Sequence, residues 1–110
     1  MKKVYIIVPM TLDSNPQINL SCGFAMAQVA HASMKAGHSH RHSVIVLEIA
    51  GSKELLALVK RLFEYGPGYT LYWEDSDLFE GKELTAVVID PVDNTPDVLK
   101  DLKLWSCDCN

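Results

Sequence analysis

Gln28, His31 and Lys35 recur three and four residues apart, and with Phe24 they fall within a narrow arc of a helix that turns about 100° per residue. Ala25, Met26, Val29, Ala30, Ser33 and Ala36 cover the opposite side, so this segment is apolar almost all round except for one polar stripe. Such a helix is expected to be largely buried, the most buried of the chain. Gln28 and His31 then either hydrogen-bond inside the protein or line a cleft open to water. In a cleft, an amide polarises or orients a carbonyl and an imidazole moves a proton. Asp75, within the acidic stretch Glu74-Asp75-Ser76-Asp77, adds a carboxylate able to act on a water. Alternatively, Glu74, Asp75, Asp77 and Glu80 are a solvated acidic loop.

Other residues suggest rival chemistry. The backbone N–H groups near Cys22 to Ala25, at the amino end of the helix, are suited to a phosphate or an oxyanion. Cys22 itself, at that terminus, is a candidate thiol nucleophile. Geometry weakens its dyad with His31, because on one straight helix the two would face opposite ways, roughly 13 Å apart along the axis, so a catalytic Cys22 would need another base. His38, His40 and His42 alternate like metal ligands, with Cys107 and Cys109 as further donors, but structural zinc sites favour wider spacings, and no tightly bound metal is expected. The histidine run can instead add to the positive charge of Arg41 and Lys35. Lys53, Lys60 and Arg61 fall on the outer face of a second helix, where a solubilising role is the simpler explanation than RNA contact.

The elements that must position these residues are legible as alternating strands and helices. Val4 to Val8 is a β-branched and aromatic run of the kind buried on both faces, hence a central strand. Thr11 to Ser21 is a long aperiodic loop, and Gly23 to Ala36 a helix ended by Gly37. Ser43 to Ile49 reads as a second buried strand. Ser52 is placed to cap a following helix whose Leu55, Leu58, Val59 and Leu62 share one face, and Gly66-Pro67-Gly68 stops it. Tyr69 to Trp73 and Leu84 to Ile89 are two further strands without a helix between them, so they are expected to run antiparallel or to pair with different neighbours in a mixed sheet. Thr95-Pro96-Asp97 predicts a short capped helix, and Lys103-Leu104-Trp105 a brief edge strand. The fold class is therefore α/β: one domain over residues 1–110, with about four strands and helices packed on the sheet faces.

Composition agrees with one globular core. The chain has 110 residues, 48% hydrophobic and 22% charged, a size that folds without a disulfide or metal. Three cysteines, two of them close together at the end, point to a reducing compartment. The apolar run after Lys2 and Lys3 is too short for a membrane span and has no cleavage site, so a soluble, unprocessed, cytoplasmic protein is expected. The net charge of −4 argues against a protein that coats nucleic acid, while leaving room for a local basic patch.

Ala25-Met26-Ala27-Gln28-Val29-Ala30-His31-Ala32 resembles the Ala-Ala-Gln-x-Ala-His-Ala signature of the archaeal and eukaryotic type of peptidyl-tRNA hydrolase. Thr85 to Pro91 is similar to that family's fourth strand, Leu102-Lys103-Leu104 to its closing Leu-Lys-Leu, and Asp75 stands where the family has a functional aspartate. The resemblance spans nearly the whole chain. It implies an esterase that cleaves peptide from tRNA, with Gln28, His31 and Asp75 as catalytic residues, Ser21, Cys22, Gly23 and Lys35 at the substrate, no cofactor, peptidyl-tRNA or another RNA as partner, and a homodimer. Exposed aromatic groups at Trp73, Phe79 and Trp105 would serve that dimer. Three features depart from the family, one of them a longer loop with Thr11 to Leu20 inserted. Ser21-Cys22-Gly23-Phe24 replaces a Gly-Lys-Gly-Lys stretch whose lysines bind and cleave tRNA, and the Asp75 to Pro91 segment is shorter, without a clear counterpart of the threonine after the aspartate. A non-catalytic protein of the same fold, binding RNA, a small ligand or a protein, is the alternative.

Overall fold

The order of elements is β1 (Lys3–Thr11), α1 (Cys22–Ala36), β2 (Ser43–Gly51), α2 (Ser52–Tyr65), β3 (Tyr69–Asp75), β4 (Lys82–Ile89), a 3-10 turn (Asp97–Leu99) and β5 (Lys103–Leu104). The computed structural model describes residues 2–11, 22–37, 42–75 and 82–106. Strands are arranged β3-β4-β1-β2-β5, so the sheet has five strands rather than about four, the fifth being the brief edge at Lys103–Leu104. β1 and β2 are parallel and joined through α1, while β4 runs antiparallel to both β1 and β3. The mixed sheet follows from the connections: a helix between two strands returns the chain for parallel pairing, and the direct link from β3 to β4 reverses it.

β1 is central because both of its faces are needed. Val4, Ile6 and Val8 enter one core with Ala32 of α1 and with Ala86 and Val88 of β4. Tyr5 and Ile7 enter the other, with Leu55, Leu58 and Leu62 of α2 and with Leu84, Val87 and Ile89 of β4. The molecule is thus three layers, a helix on each face of one sheet. The outward residues of α2, Lys53, Ala57, Lys60, Arg61 and Glu64, are all exposed, as its helical period requires.

β1 does not stop at Pro9. Its pairing with β2 continues from Pro9 opposite Ile49 to Thr11 opposite Gly51, whereas its pairing with β4 is confined to Ile6 with Val88 and Ile7 with Val87. A proline has no donor for a ladder, and the β4 side is where the ladder is short. Continued in register, that ladder would bring Thr85 beside Pro9, and Thr85 is where β4 bulges: Tyr72 pairs with Ala86 but Trp73 with Leu84, leaving Thr85 without an opposite residue.

Several sequence expectations are corrected by local chemistry. α1 is not the most buried helix, since Met26 is 61% and Met34 78% exposed, and Ala27 and Ala30 are exposed as well. It lies on the sheet through Gln28 and Ala32, with Val29, Ser33 and Ala36 half-buried, so part of the polar stripe faces inward and part of the alanine side outward. Ser52 caps nothing. Gly51 is the N-cap residue of α2, and the Ser52 hydroxyl donates instead to Glu83 Oε2 at 3.1 Å. A Cβ at Gly51 would stand 2.9 Å from Glu54 Oε2 and 3.0 Å from Thr11 Oγ1, which accounts for glycine at this crowded strand-to-helix corner. Thr95 likewise starts no helix: its hydroxyl meets the Tyr5 hydroxyl, and only the short 3-10 turn follows. Trp105 packs half-buried against the core beneath α1, which leaves Trp73, 41% exposed, as the open aromatic of the three expected at an interface; Phe79 lies outside the described residues. Gly37, at φ 70°, ends α1 in the left-handed conformation that its sequence position predicts.

Candidate functional site

The register of the sheet decides where chemistry can gather. β1, β2 and β3 run in one direction, so Thr11, Gly51 and Asp75, at their carboxyl ends, share one end of the sheet with Lys82, the first residue of β4 and the pairing partner of Asp75. α1 returns from that end and α2 starts there directly after Gly51. Sheets of this kind bind ligands just beyond the carboxyl ends of their strands, where helix amino termini add backbone donors.

Gln28 is anchored close to that end. Its Oε1 accepts from the Thr85 hydroxyl at 2.7 Å, with Gln28 4% exposed and Thr85 fully buried. The bulge makes this contact. Along a regular strand Thr85 would face the α2 side with Val87, but with its extra residue β4 turns both Thr85 and Ala86 toward α1. A buried amide oxygen without a partner would be costly, so Thr85 is what allows α1 to seat a glutamine on the sheet.

One turn later His31 is exposed. Its Nδ1 lies 3.2 Å from the Tyr72 hydroxyl, and the two rings are tilted at 45° with centroids 5.7 Å apart. His31 is therefore a surface group resting on β3, and a role as a buried structural histidine is excluded. Lys35, on the same stripe, is exposed.

The other expected site residues divide by place. Cys22 and Gly23 begin α1, and Asp75 ends β3, so their backbones belong to the same end of the sheet. The Asp75 carboxylate and the side chain of Cys22 lie outside what is described, as does the expected Thr11 to Ser21 loop beyond Thr11, Ser21 included. His38, His40, Cys107 and Cys109 are likewise outside the described residues. His42 is within them, with a buried Nδ1 that finds no hydrogen-bond partner. Among the described residues no three His, Cys, Asp or Glu side chains gather in a metal-like group.

Several contacts had no signal in the sequence. Tyr72 and Thr85 looked like ordinary strand residues, and only the pairing of β3 with β4 shows that they meet the stripe of α1. The hydrogen bond between Ser52 and Glu83 joins α2 to β4 at the candidate end and had no signal in spacing. With Glu54 close to Gly51, this end carries carboxylates on α2 and β4. One described cavity lies elsewhere. It is about 460 Å³, lined by Tyr5, Ile45, Leu47, Leu99 and Leu104, and it opens on the α2 side of the sheet, so it does not belong to the stripe of α1.

No family model matches this chain, and no curated protein is found to match it. No helix of the described residues is long and apolar enough to cross a membrane.

Proposed function

We propose that the chain is an esterase of the peptidyl-tRNA hydrolase type, acting at the carboxyl end of its sheet. The observation that carries the reading is topological. The backbone of Asp75, the first turn of α1 and the anchored Gln28 belong to neighbouring parts of one sheet end, where a carboxylate, backbone donors and a polar helix face can act on one ester. In this mechanism Asp75 accepts the proton of the attacking water, and first-turn N–H groups of α1 stabilise the developing oxyanion. Gln28 is a positioning residue, holding the first turns of α1 against β4 through Thr85. His31, resting on Tyr72, stands at the wall of the cleft for the leaving group.

A second reading has its own support. The carbonyl oxygen of Gln28 is engaged by Thr85, and carboxylates of Glu54 and Glu83 stand at this end without the lysines that the resembled family places before its Gln-His motif. These features favour a protein of the same fold that binds a ligand without cleaving it. Release of peptide from peptidyl-tRNA by the purified chain, measured beside binding of bare tRNA at several salt concentrations, separates the two. Cleavage lost in Asp75→Asn supports the esterase; binding without cleavage supports the alternative.

A further inference from the structure

We propose that the groove on the α2 side of the sheet binds a small carboxylic acid with an unbranched apolar tail, its carboxylate held by Lys3 and by the hydroxyl pair of Tyr5 and Thr95. This site is separate from the candidate ester-cleaving end and does not rest on that reading.

The groove is a product of strand alternation. Val4, Ile6 and Val8 point toward α1, so Lys3, Tyr5 and Ile7 point to the α2 side. β2 follows in register, with Ile45 opposite Tyr5 and Leu47 opposite Ile7. α2 packs on this face through Leu55, Leu58 and Leu62, and the chain from Thr95 through the 3-10 turn to β5 supplies the groove's outer wall. The space enclosed is about 460 Å³, within the range of roughly 300–1,000 Å³ usual for small-ligand clefts. It reaches Lys3, the first residue of β1, whereas the candidate ester site lies beyond Thr11, the last.

The apolar lining selects the tail. Leu47 and Leu99 are buried, Ile45 and Leu102 half-buried and Leu104 69% exposed, so the lining grades from the core out to solvent. A hydrocarbon chain laid along it gains for every methylene it buries there. The described lining is aliphatic apart from Tyr5, which suits an extended chain better than a flat ring that stacks on aromatic faces.

The polar groups select the head. In a chain of net charge −4, the described lining of this groove holds two lysines and no acid. Asp97, outside that lining, holds the Lys100 ammonium at 2.7 Å, so Lys3, half-buried on the same face as Tyr5, is the principal anchor. The hydroxyls of Tyr5 and Thr95 meet beside it. A pair of hydroxyls uses one hydrogen between its two oxygens and keeps the other to donate to a further acceptor. An ammonium and a hydroxyl hydrogen at one groove complement a carboxylate, which has lone pairs for both. The Asp97 carboxylate beside Lys100 disfavours a doubly charged phosphate at the same place.

The test is calorimetric titration of the full chain with sodium octanoate, sodium hexanoate and octanol, with amide NMR shifts locating the contact. Octanoate should bind saturably, one per chain, with Kd below ~1 mM. Hexanoate, shorter by two methylenes, should bind about tenfold more weakly, and octanol, which keeps the tail and lacks the charge, should be weakened at least as much. The shifts should centre on Tyr5, Ile45 and Leu104 and spare Gln28. Lys3→Met keeps the apolar stem and removes the charge, so it should weaken octanoate about tenfold and leave octanol unchanged. Leu104→Glu, at an exposed position that leaves folding intact, sets a like charge in the wall; it should weaken octanoate by a similar factor and reads the site even if Lys3→Met fails to fold. Absence of saturable octanoate binding at ~10 mM overturns the proposal. So does octanol bound as tightly as octanoate, octanoate binding that Leu104→Glu leaves unchanged, or shifts centred away from the groove.

Discussion

At the residue scale, the contact between Gln28 and Thr85 is consequential because both partners are buried and the Thr85 hydroxyl satisfies the Gln28 carbonyl oxygen. Thr85→Val keeps the shape and removes the donor, leaving the Gln28 carbonyl unpaired against the sheet. It is expected to lower stability by about 1–3 kcal/mol, read by urea unfolding. His31→Ala should behave differently. His31 is exposed and meets Tyr72 at 3.2 Å, so its removal should cost no more than about 0.5 kcal/mol, and a larger loss would mean that the pair has a structural role. Asp97 shows what the surface contributes. The hydrogen bond and the positive charge of Lys100, 2.7 Å away, hold its carboxyl below the ordinary aspartate range. A depressed carboxyl stabilises the fold above its unfolded pKa and loses that contribution as pH falls through the folded value. Since both groups are fully exposed, solvent screening leaves the pair little weight, and Lys100→Met should return the Asp97 titration, followed by NMR, toward 3.8 with the fold unchanged.

At the element scale, the two helices are held by different means. α2 is an amphipathic helix whose Leu55 and Leu62 are almost wholly buried, so Leu62→Ala should cost about 2–5 kcal/mol, while replacing Phe63, 80% exposed, with serine should stay within about 0.5 kcal/mol. Calorimetry of the two variants checks the contrast. The strands and α2 were legible in the sequence because burial on both faces writes a continuous β-branched run at Val4 to Val8, and burial on one face writes leucines at helical spacing. Gly37 was legible because the left-handed turn after α1 needs its freedom. The seating of α1 was not. Helix periodicity could show that Gln28 and His31 share an arc, but the inward side was decided by a bulge at Thr85, 57 residues away in sequence and invisible to strand alternation. Ser52 and Thr95 misled for a related reason: both are good capping residues locally, and both found tertiary partners, Glu83 and Tyr5, that local rules do not see.

At the scale of the whole molecule, the parallel course of β1, β2 and β3 assembles a candidate site from segments far apart in sequence, the start of α1, the end of β3 and the start of β4. That arrangement was legible only in part: the Gln-His spacing and the position of Asp75 marked the candidate residues, and the register supplies the shared end for their backbones. The charge of the chain, −4 overall, bears on substrate affinity. Without the lysines before Gln28, few phosphates are neutralised, so tRNA binding is expected to change little with salt compared with proteins that make many phosphate contacts. The most direct test of the account is the rate at which the purified chain releases peptide from peptidyl-tRNA, compared between wild type and Asp75→Asn. Asp75→Asn removes the anionic proton acceptor while keeping the side-chain shape. The account predicts measurable wild-type cleavage that falls about 10²-fold or more in the variant, the usual scale for a general base, with unfolding transitions that coincide. Wild-type cleavage that persists undiminished in Asp75→Asn, or no wild-type cleavage at all, would contradict it.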